Sequence, residues 1–297
     1  MTTFRQLQDE VLQTVQGYGL GLSRATFLAS GIDSDDLTLS VTDASNVGEG
    51  LAEIDSELVY IESVNRSTNT VTLSPDGRGF FGTTAASHSA GARVTIAPTW
   101  PRNRIKQAIN DVIVATYPVL WGVTQTQFTF NPAVTTYSVP AEAERILSVT
   151  ADVNGPSKEQ QNIKRYSFNS VAPTDDWATT NTITFGESVS PGRTVTVTYT
   201  KQPSALSADA SELTTSGLRE SAKLTVLYGA CAQLVSFMDV SRLGVDTAQA
   251  DEYDEKVQVG MASRISGQLQ LRYEMELEKE RKRLRATTPV AINVRKR

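Results

Sequence analysis

The sequence predicts an α+β fold in which N-terminal, central and C-terminal helices form a helical bundle, with two inserted antiparallel β modules and an extended C-terminal arm. Two observations support this prediction. Apolar residues recur at helical spacing in three separate stretches, and apolar and polar residues alternate between those stretches. Because no single helix can bury its own apolar stripe, we expect the helices to pack on one another.

The predicted parts follow one another along the whole chain. They are an N-terminal helical part of the bundle (1–31), an inserted β-barrel or sandwich module (32–97), a central bundle helix (98–122), a second β module (123–203), the C-terminal bundle helices (204–285) and an extended docking arm (286–297).

Helical spacing defines the N-terminal part. Phe4, Leu7, Val11, Leu12 and Val15 fall on one face at steps of three and four residues. A second, short helix is expected over residues 23–29. After residue 31 the period changes to two, and the segments ELVYIESV, TVTL and RVTI lie between glycine, asparagine, aspartate and proline clusters. This texture is typical of a small antiparallel barrel or sandwich.

The second half repeats the same change of period. Pro101 suits a first helical turn, and Ile105, Ile109 and Val112 continue an apolar stripe behind it. Alternation returns most clearly in TVTVTYT, residues 194–200. From about residue 216 onward the spacing is helical again, which predicts two long helices at the end of the chain.

Composition excludes several kinds of protein. The chain has 297 residues and a formal net charge of −5, which is ordinary globular material. A single cysteine, Cys231, leaves no internal disulfide, and a single histidine, His88, leaves no Cys/His zinc cluster. The sequence contains no apolar run of membrane-spanning length and no signal-peptide pattern at its start. We therefore expect a soluble protein made in the cytosol.

His88 invites two interpretations. Ser87 precedes it, which suggests a nucleophile and its base, but neighbours on an extended chain point to opposite faces and a triad also needs an orienting acid. A structural role is the stronger interpretation, since glycines surround this histidine. We predict that a structural loop of the first β module contains Arg78, Gly79, Gly82, His88 and Gly91.

No other sequence pattern defines a metal-binding or phosphate-binding site. The acidic pairs at 35–36 and 175–176 suit turns, because a hard cation needs several oxygens converging from a defined loop. Residues 17–23 are rich in glycine, but no predicted strand precedes them and they contain no GKS or GKT. They therefore do not predict a phosphate-binding loop. The sequence therefore predicts no enzyme, no metal site and no cofactor.

A family resemblance rests on three segments. Residues 78–94 resemble a small β module of tailed-bacteriophage structural proteins, through Arg78, Gly79, Gly82, Thr83, Ala85, Ala86, His88, Gly91 and Val94. The segment PTWPRNRIKQAINDVIVATYPVLW is similar to a helix of phage head-to-tail connector proteins, through Pro101, Ile105, Ala108, Ile109, Asn110, Tyr117 and Pro118. TYSVPAEAERILSV adds a likeness at Arg145, Ile146 and Val149.

The last twenty residues differ in charge from the rest. They carry eight Lys or Arg against two Glu, a balance of +6, and leave 20 basic and 31 acidic residues elsewhere, a balance of −11. Between the basic clusters, Val290, Ile292 and Val294 alternate with smaller or polar residues after Pro289. A lone strand is unstable in water, so this one is expected to add to a sheet edge on another chain.

The resemblance implies what that arm does. Connector adaptors form rings, usually twelvefold, beneath a portal protein, and their C-terminal arms insert between portal subunits. Carried onto this sequence, the predicted portal-docking residues are Arg281, Lys282, Arg283, Arg285, Pro289, Val290, Ile292, Val294, Arg295, Lys296 and Arg297. The implied partners are the portal, copies of the same chain, a tail-side connector or tail protein, the capsid, and double-stranded DNA that passes without sequence-specific binding. The implied location is the head-to-tail joint of the virion.

Two alternatives stay open from the residues. One is another virion component, such as a baseplate or fibre protein whose β module contacts a host glycan. The other is a DNA-binding protein that uses the basic tail, for which a steep salt dependence of affinity is expected.

Overall fold

A computed structural model describes residues 1–18, 24–152, 159–187, 189–242 and 261–288. These described residues form four α-helices: α1 (Phe4–Gly17), α2 (Arg102–Ala115), α3 (Lys223–Arg242) and α4 (Met261–Thr287). Short 3₁₀ turns lie at Phe80–Gly82, Leu213–Ser216 and Glu220–Ala222.

Thirteen strands lie in the same described part of the chain. They are β1 (Arg24–Phe27), β2 (Thr38–Ser40), β3 (Gly50–Ile54), β4 (Glu57–Asn65), β5 (Thr70–Leu73), β6 (Arg93–Ile96), β7 (Gly122–Thr129), β8 (Thr136–Val139), β9 (Arg145–Asp152), β10 (Gln160–Asn162), β11 (Tyr166–Asn169), β12 (Asn181–Phe185) and β13 (Thr194–Lys201).

The chain divides into two compact units, of which only the described residues are discussed. The barrel unit comprises Arg5–Asn110 and Leu227–Leu271, and the two-sheet unit comprises Met1–Phe4, Asp111–Val226 and Arg272–Arg297.

One curled sheet dominates the barrel unit. Its strands are antiparallel in the order β1-β6-β3-β4-β5-β2. The two edge strands meet, because Leu28 and Val41 form a β-bridge and the Thr42 N–H donates to the Phe27 carbonyl at 2.8 Å. The enclosed core consists of strand residues such as Leu39, Ile54 and Ile61, all at most 1% exposed. This closure leaves few unpaired backbone groups at the sheet edges.

Two smaller antiparallel sheets share a core in the two-sheet unit. Their strand orders are β10-β9-β13-β7 and β11-β12-β8. Val195 and Val197 of the central strand β13 are completely buried, as is Ile183 of β12. The rings of Phe128 and Tyr137 stack between the sheets, with centroids 4.4 Å apart. Alternating apolar residues therefore fill this core from both sides.

The prediction of a helical bundle with inserted β modules is wrong. Three sheets make up most of the fold, and strand residues by themselves assemble a core in each unit. An apolar stripe shows that one face of a helix is buried, but it does not identify the surface that covers that face.

The predicted short helix over residues 23–29 is also wrong. Residues 24–27 form β1, which pairs antiparallel with β6 so that Arg24 lies opposite Ile96 and Phe27 opposite Arg93. Seven residues carry too little periodicity to separate a strand from a short helix, and pairing with β6 decides the outcome.

Candidate functional site

The glycine-rich loop of the barrel unit, residues 78–91, is organised around one buried carboxylate. Glu57 is the first residue of β4, and its side chain is 1% exposed. Its Oε1 accepts hydrogen bonds from Arg78 Nε at 2.7 Å and from the Gly79 N–H at 3.0 Å. Its Oε2 accepts from Arg78 Nη2 at 3.0 Å and from the Ala86 N–H at 3.1 Å. One side chain therefore holds both ends of the loop.

These bonds control the ionisation of Glu57. Burial by itself raises the pKa of this carboxyl group, but the hydrogen bonds from Arg78, His88, Gly79 and Ala86 outweigh burial and lower the pKa from 4.5 to about 2. Glu57 is consequently ionised throughout the neutral range. A buried charge of this kind is tolerated only because it is paired and fully hydrogen-bonded.

Arg78 uses all of its donors. Besides the two bonds to Glu57, its Nη1 donates to the carbonyls of Asp33 and Asp36 at 2.7 and 2.8 Å, and its Nη2 donates to the Ala86 carbonyl at 2.6 Å. The five N–H groups of a guanidinium are thus satisfied. Arg78 ties the loop to the segment that precedes β2.

His88 is held by two carboxylates. Its Nδ1 lies 2.9 Å from Asp55 Oδ2 and its Nε2 lies 2.9 Å from Glu57 Oε2. Its backbone exchanges two hydrogen bonds of 2.9 Å with Ile32. Because both ring nitrogens are engaged, neither can accept the hydroxyl proton of Ser87, and the nucleophile-and-base interpretation has no geometric support.

Backbone geometry explains the glycines of the loop. Gly79, Gly82 and Gly91 have φ values of 59°, 76° and 83°, which lie in the left-handed region that glycine adopts without strain. A Cβ at Gly79 would also lie 2.8 Å from the Thr83 carbonyl oxygen, closer than atoms can approach. This position therefore requires glycine for two independent reasons.

The loop presents an aromatic side chain to solvent. Phe81 is 74% exposed, and its φ of 52° places a non-glycine residue in the left-handed region. Its ring centroid lies 4.7 Å from that of Phe80, which in turn lies 5.4 Å from that of Tyr60. The left-handed conformation costs roughly 1–2 kcal/mol. An exposed aromatic held in a strained backbone by a rigid support is typical of a contact surface.

A cleft of about 450 Å³ is lined partly by residues of this loop. Asp55, Thr83, Ser87 and Lys106 are among its lining residues. Thr83 also secures the loop, because its hydroxyl accepts from the Leu58 N–H at 3.0 Å and donates to the Phe80 carbonyl at 2.9 Å. The lining of this cleft is therefore mainly polar.

The basic end of α4 belongs to the two-sheet unit. Arg281 Nη1 donates to Glu278 at 2.9 Å, and that hydrogen bond is the main cause of a lowered Glu278 pKa. Arg283 pairs with Glu280, a buried residue that also accepts from the Ser221 hydroxyl at 2.7 Å. Two of the four predicted docking cations on α4 are thus engaged within their own helix.

The remaining predicted docking cations on α4, Lys282 and Arg285, are exposed. The other predicted docking residues lie outside the described residues: Pro289, Val290, Ile292, Val294, Arg295, Lys296 and Arg297.

Sequence reasoning missed Glu57, the carboxylate that holds the loop from β4. Glu57 was not selected, although a glutamate opening an otherwise apolar strand is a signal of a buried ionic partner. Asp55 and Phe81 were missed as well. Glu57 and Asp55 act through contacts with residues far along the chain, such as His88, and spacing along the sequence does not reveal such contacts.

Other chemistry finds little support among the described residues. They contain no cluster of three or more His, Cys, Asp or Glu side chains arranged to hold a metal ion. Burial raises the pKa of the Cys231 thiol to about 12, which suppresses thiolate reactivity. No helix in the described ranges combines the length and apolarity that a membrane span requires.

Comparison with known families gives one match. Residues 83–283 match the model of the family described as SU10 adaptor protein. The matched range covers more than half of the chain and runs from Thr83, in the glycine-rich loop, to Arg283, in the basic end of α4. No curated protein matches the sequence.

Proposed function

We propose, because the chain belongs to the SU10 adaptor protein family, that it forms the adaptor ring of a phage head-to-tail joint. As a phage adaptor it is a structural component of the virion, and its family is not a family of enzymes. In this proposal twelve copies form the ring, which sits beneath the portal and joins the capsid to the tail. The family match is the observation that carries the proposal.

Portal docking is assigned to residues 281–297. The exposed cations Lys282 and Arg285 meet portal carboxylates, while Arg281 and Arg283 exchange their partners within α4 for partners on the portal. An exposed ion pair contributes under about 1 kcal/mol, so charge by itself cannot secure the joint.

The alternating segment from Val290 to Val294 supplies the larger part of the affinity in this proposal. An extended segment that adds to a sheet edge gains a row of backbone hydrogen bonds, and its alternate side chains enter pockets. A ring repeats the contact at every subunit, which multiplies its strength without any new kind of interaction.

The glycine-rich loop is assigned a contact with the next ring or the capsid. Glu57, Arg78 and His88 fix the loop, and Phe81 projects from it. A preorganised loop loses little conformational entropy when a partner binds, so an exposed ring on such a loop is an efficient anchor.

Acidity suits a conduit for packaged DNA. Outside residues 278–297 the charge balance is −11. A negative lumen repels phosphate within a screening length of about 10 Å and lets DNA pass without being held.

Deleting residues 286–297 tests the proposal. The variant retains Leu284, which is 5% exposed, and every described strand, so we expect a folded protein with an unchanged unfolding temperature. Native mass measurement with purified portal should show a portal–adaptor complex for the full chain and none for the variant. A complex of equal mass and stability with the variant contradicts the docking role.

A second candidate is a virion protein that contacts a host glycan through its first β module. One observation favours it: Tyr60 and Phe81 are 41% and 74% exposed, and both of their rings contact the ring of Phe80. Sugars commonly stack on such rings. Loss of host-surface binding on Phe81→Ala, with unchanged portal binding, would favour this candidate.

A further inference from the structure

A second cleft in the barrel unit is lined by arginines. It has a volume of about 120 Å³, and Arg5, Arg93 and Arg102 line it together with the apolar side chains of Leu12 and Trp100. None of these residues belongs to the glycine-rich loop or to α4. The cleft shares Asp55 with the cleft beside the glycine-rich loop, but the three arginines line only this one.

The barrel sheet contributes residues to the lining of this cleft. Ala52, Ile54 and Val94 are buried in the barrel core. Successive side chains of a strand point to opposite faces, so Glu53 of β3 and Arg93 of β6 lie on the outer face. Arg93 is exposed, and its side chain makes no hydrogen bond or ion pair with any described residue. Arg93 is therefore a cation at the cleft with no ion-pair partner among the described residues.

Arg102 supplies a second unused donor. Its Nη2 donates to Asp9 Oδ1 at 2.9 Å. Its Nη1 is buried and has no hydrogen-bond partner among the described residues. A buried donor without a partner is unfavourable, and a bound acceptor that reached it would relieve this cost.

The acidic groups of the cleft are already committed. Glu53 Oε1 accepts from the Arg102 backbone N–H at 2.5 Å and so caps the start of α2. Asp55 bonds His88. Burial raises the pKa of Glu53 to about 7 despite the nearby charges of Arg102, Arg5 and Lys106, so at neutral pH this group cancels only part of the positive charge.

We propose that this cleft binds a carboxylate side chain presented by another protein chain. A carboxylate can accept from the Arg102 Nη1 and from the Arg93 fork, and charge-assisted bonds of this kind are about twice as strong as neutral ones. Leu12 and Trp100 match the methylene groups of a glutamate. The small volume disfavours duplex DNA, whose phosphates are attached to a bulky backbone.

Isothermal titration calorimetry with the full chain and a hexaglutamate peptide tests the proposal. We expect Arg93→Glu to weaken binding at least tenfold, since it removes one charge-assisted contact and adds repulsion. Arg24→Glu is the matched control, because Arg24 is also an exposed arginine on an outer strand but does not line the cleft. It should bind within twofold of the unmodified chain, and hexaglutamine should not bind.

Three results overturn the proposal. They are no hexaglutamate binding by the unmodified chain, equal binding by Arg93→Glu, and Arg93-dependent binding of a short DNA duplex without peptide binding. Arg93→Gln guards against a folding artefact, because it keeps a polar side chain at this exposed position. It should weaken peptide binding while leaving the unfolding temperature unchanged.

Discussion

Arg78 and Glu57 form a bidentate ion pair in which the side chains are only 7% and 1% exposed. The two residues lie 21 positions apart in the sequence, and the loop that follows Arg78 is built on their contact. A buried pair of this kind stabilises only when every remaining donor and acceptor is satisfied. Here the Asp33, Asp36 and Ala86 carbonyls and the Gly79 and Ala86 N–H groups complete that requirement.

Arg78→Ala should destabilise the barrel unit by about 3–5 kcal/mol, because it leaves Glu57 buried without its cationic partner. Chemical denaturation measures the effect. Arg24→Ala serves as the control, since Arg24 is exposed and should change the free energy of unfolding by less than about 0.5 kcal/mol. Equal effects of the two substitutions would show that the Arg78 network has no stabilising role.

Glu57 should make the free energy of unfolding depend on pH in the acidic range. Its folded-state pKa of about 2 lies below its ordinary value of 4.5, so its contribution is complete above pH 4.5 and is lost as the pH falls towards 2. Glu57→Gln lacks this charge. The difference in free energy of unfolding between the two proteins should therefore be largest near neutral pH and shrink in acid, and a constant difference would contradict the assignment.

The sequence predicted local elements better than their assembly. Helical spacing located α1 and α2, because one buried face leaves a periodic pattern along a single segment. It failed at residues 24–27, where pairing with β6 decides the structure. The resemblance to phage head-to-tail connector proteins, drawn from particular residues, is confirmed by the family match.

The candidate site shows the same limit. Glycine positions such as Gly79 and Gly82 were selected because their spacing marks turns, and the structure gives both positive φ values. Glu57 was missed because its partners at Arg78, Ala86 and His88 are brought together only by the fold. The predicted arm from Pro289 onward lies outside the described residues and stays a prediction.

Two left-handed positions of the loop should respond differently to substitution. Phe81→Gly should change the free energy of unfolding by less than about 1 kcal/mol, because the strain that it removes offsets the lost contact with the Phe80 ring. Gly79→Ala should lower stability by more than about 1 kcal/mol, since it adds strain and a Cβ that collides with the Thr83 carbonyl. Thermal unfolding compares the two variants.

The Phe81→Gly variant also separates the role of the loop in stability from the role of Phe81 in partner binding. If Phe81 anchors a neighbouring protein, Phe81→Gly should weaken either ring assembly or the binding of the ring to its next partner, although the protein remains stable. Assembly at the level of the unmodified chain would remove Phe81 from the contact surface.

Glu53 should have the opposite pH dependence to Glu57. Burial raises its folded-state pKa from 4.5 to about 7, so the folded protein favours the protonated group. Stability should therefore fall as the pH rises from 4.5 to 7, by on the order of 3 kcal/mol in total. Glu53→Gln keeps a carbonyl oxygen that can accept from the Arg102 N–H and carries no charge.

The variant should match the unmodified protein near pH 5 and exceed its free energy of unfolding at about pH 8, because only the unmodified protein must then bury an ionised carboxylate. Glu62→Gln is a suitable control, since Glu62 is an exposed glutamate on β4 of the same sheet. If Glu53→Gln is less stable at both pH values, the carboxylate is worth more as an ion pair with its surrounding arginines than burial costs it. The arginine cleft would then be largely neutralised from within, and it would have little capacity left for a carboxylate from another chain.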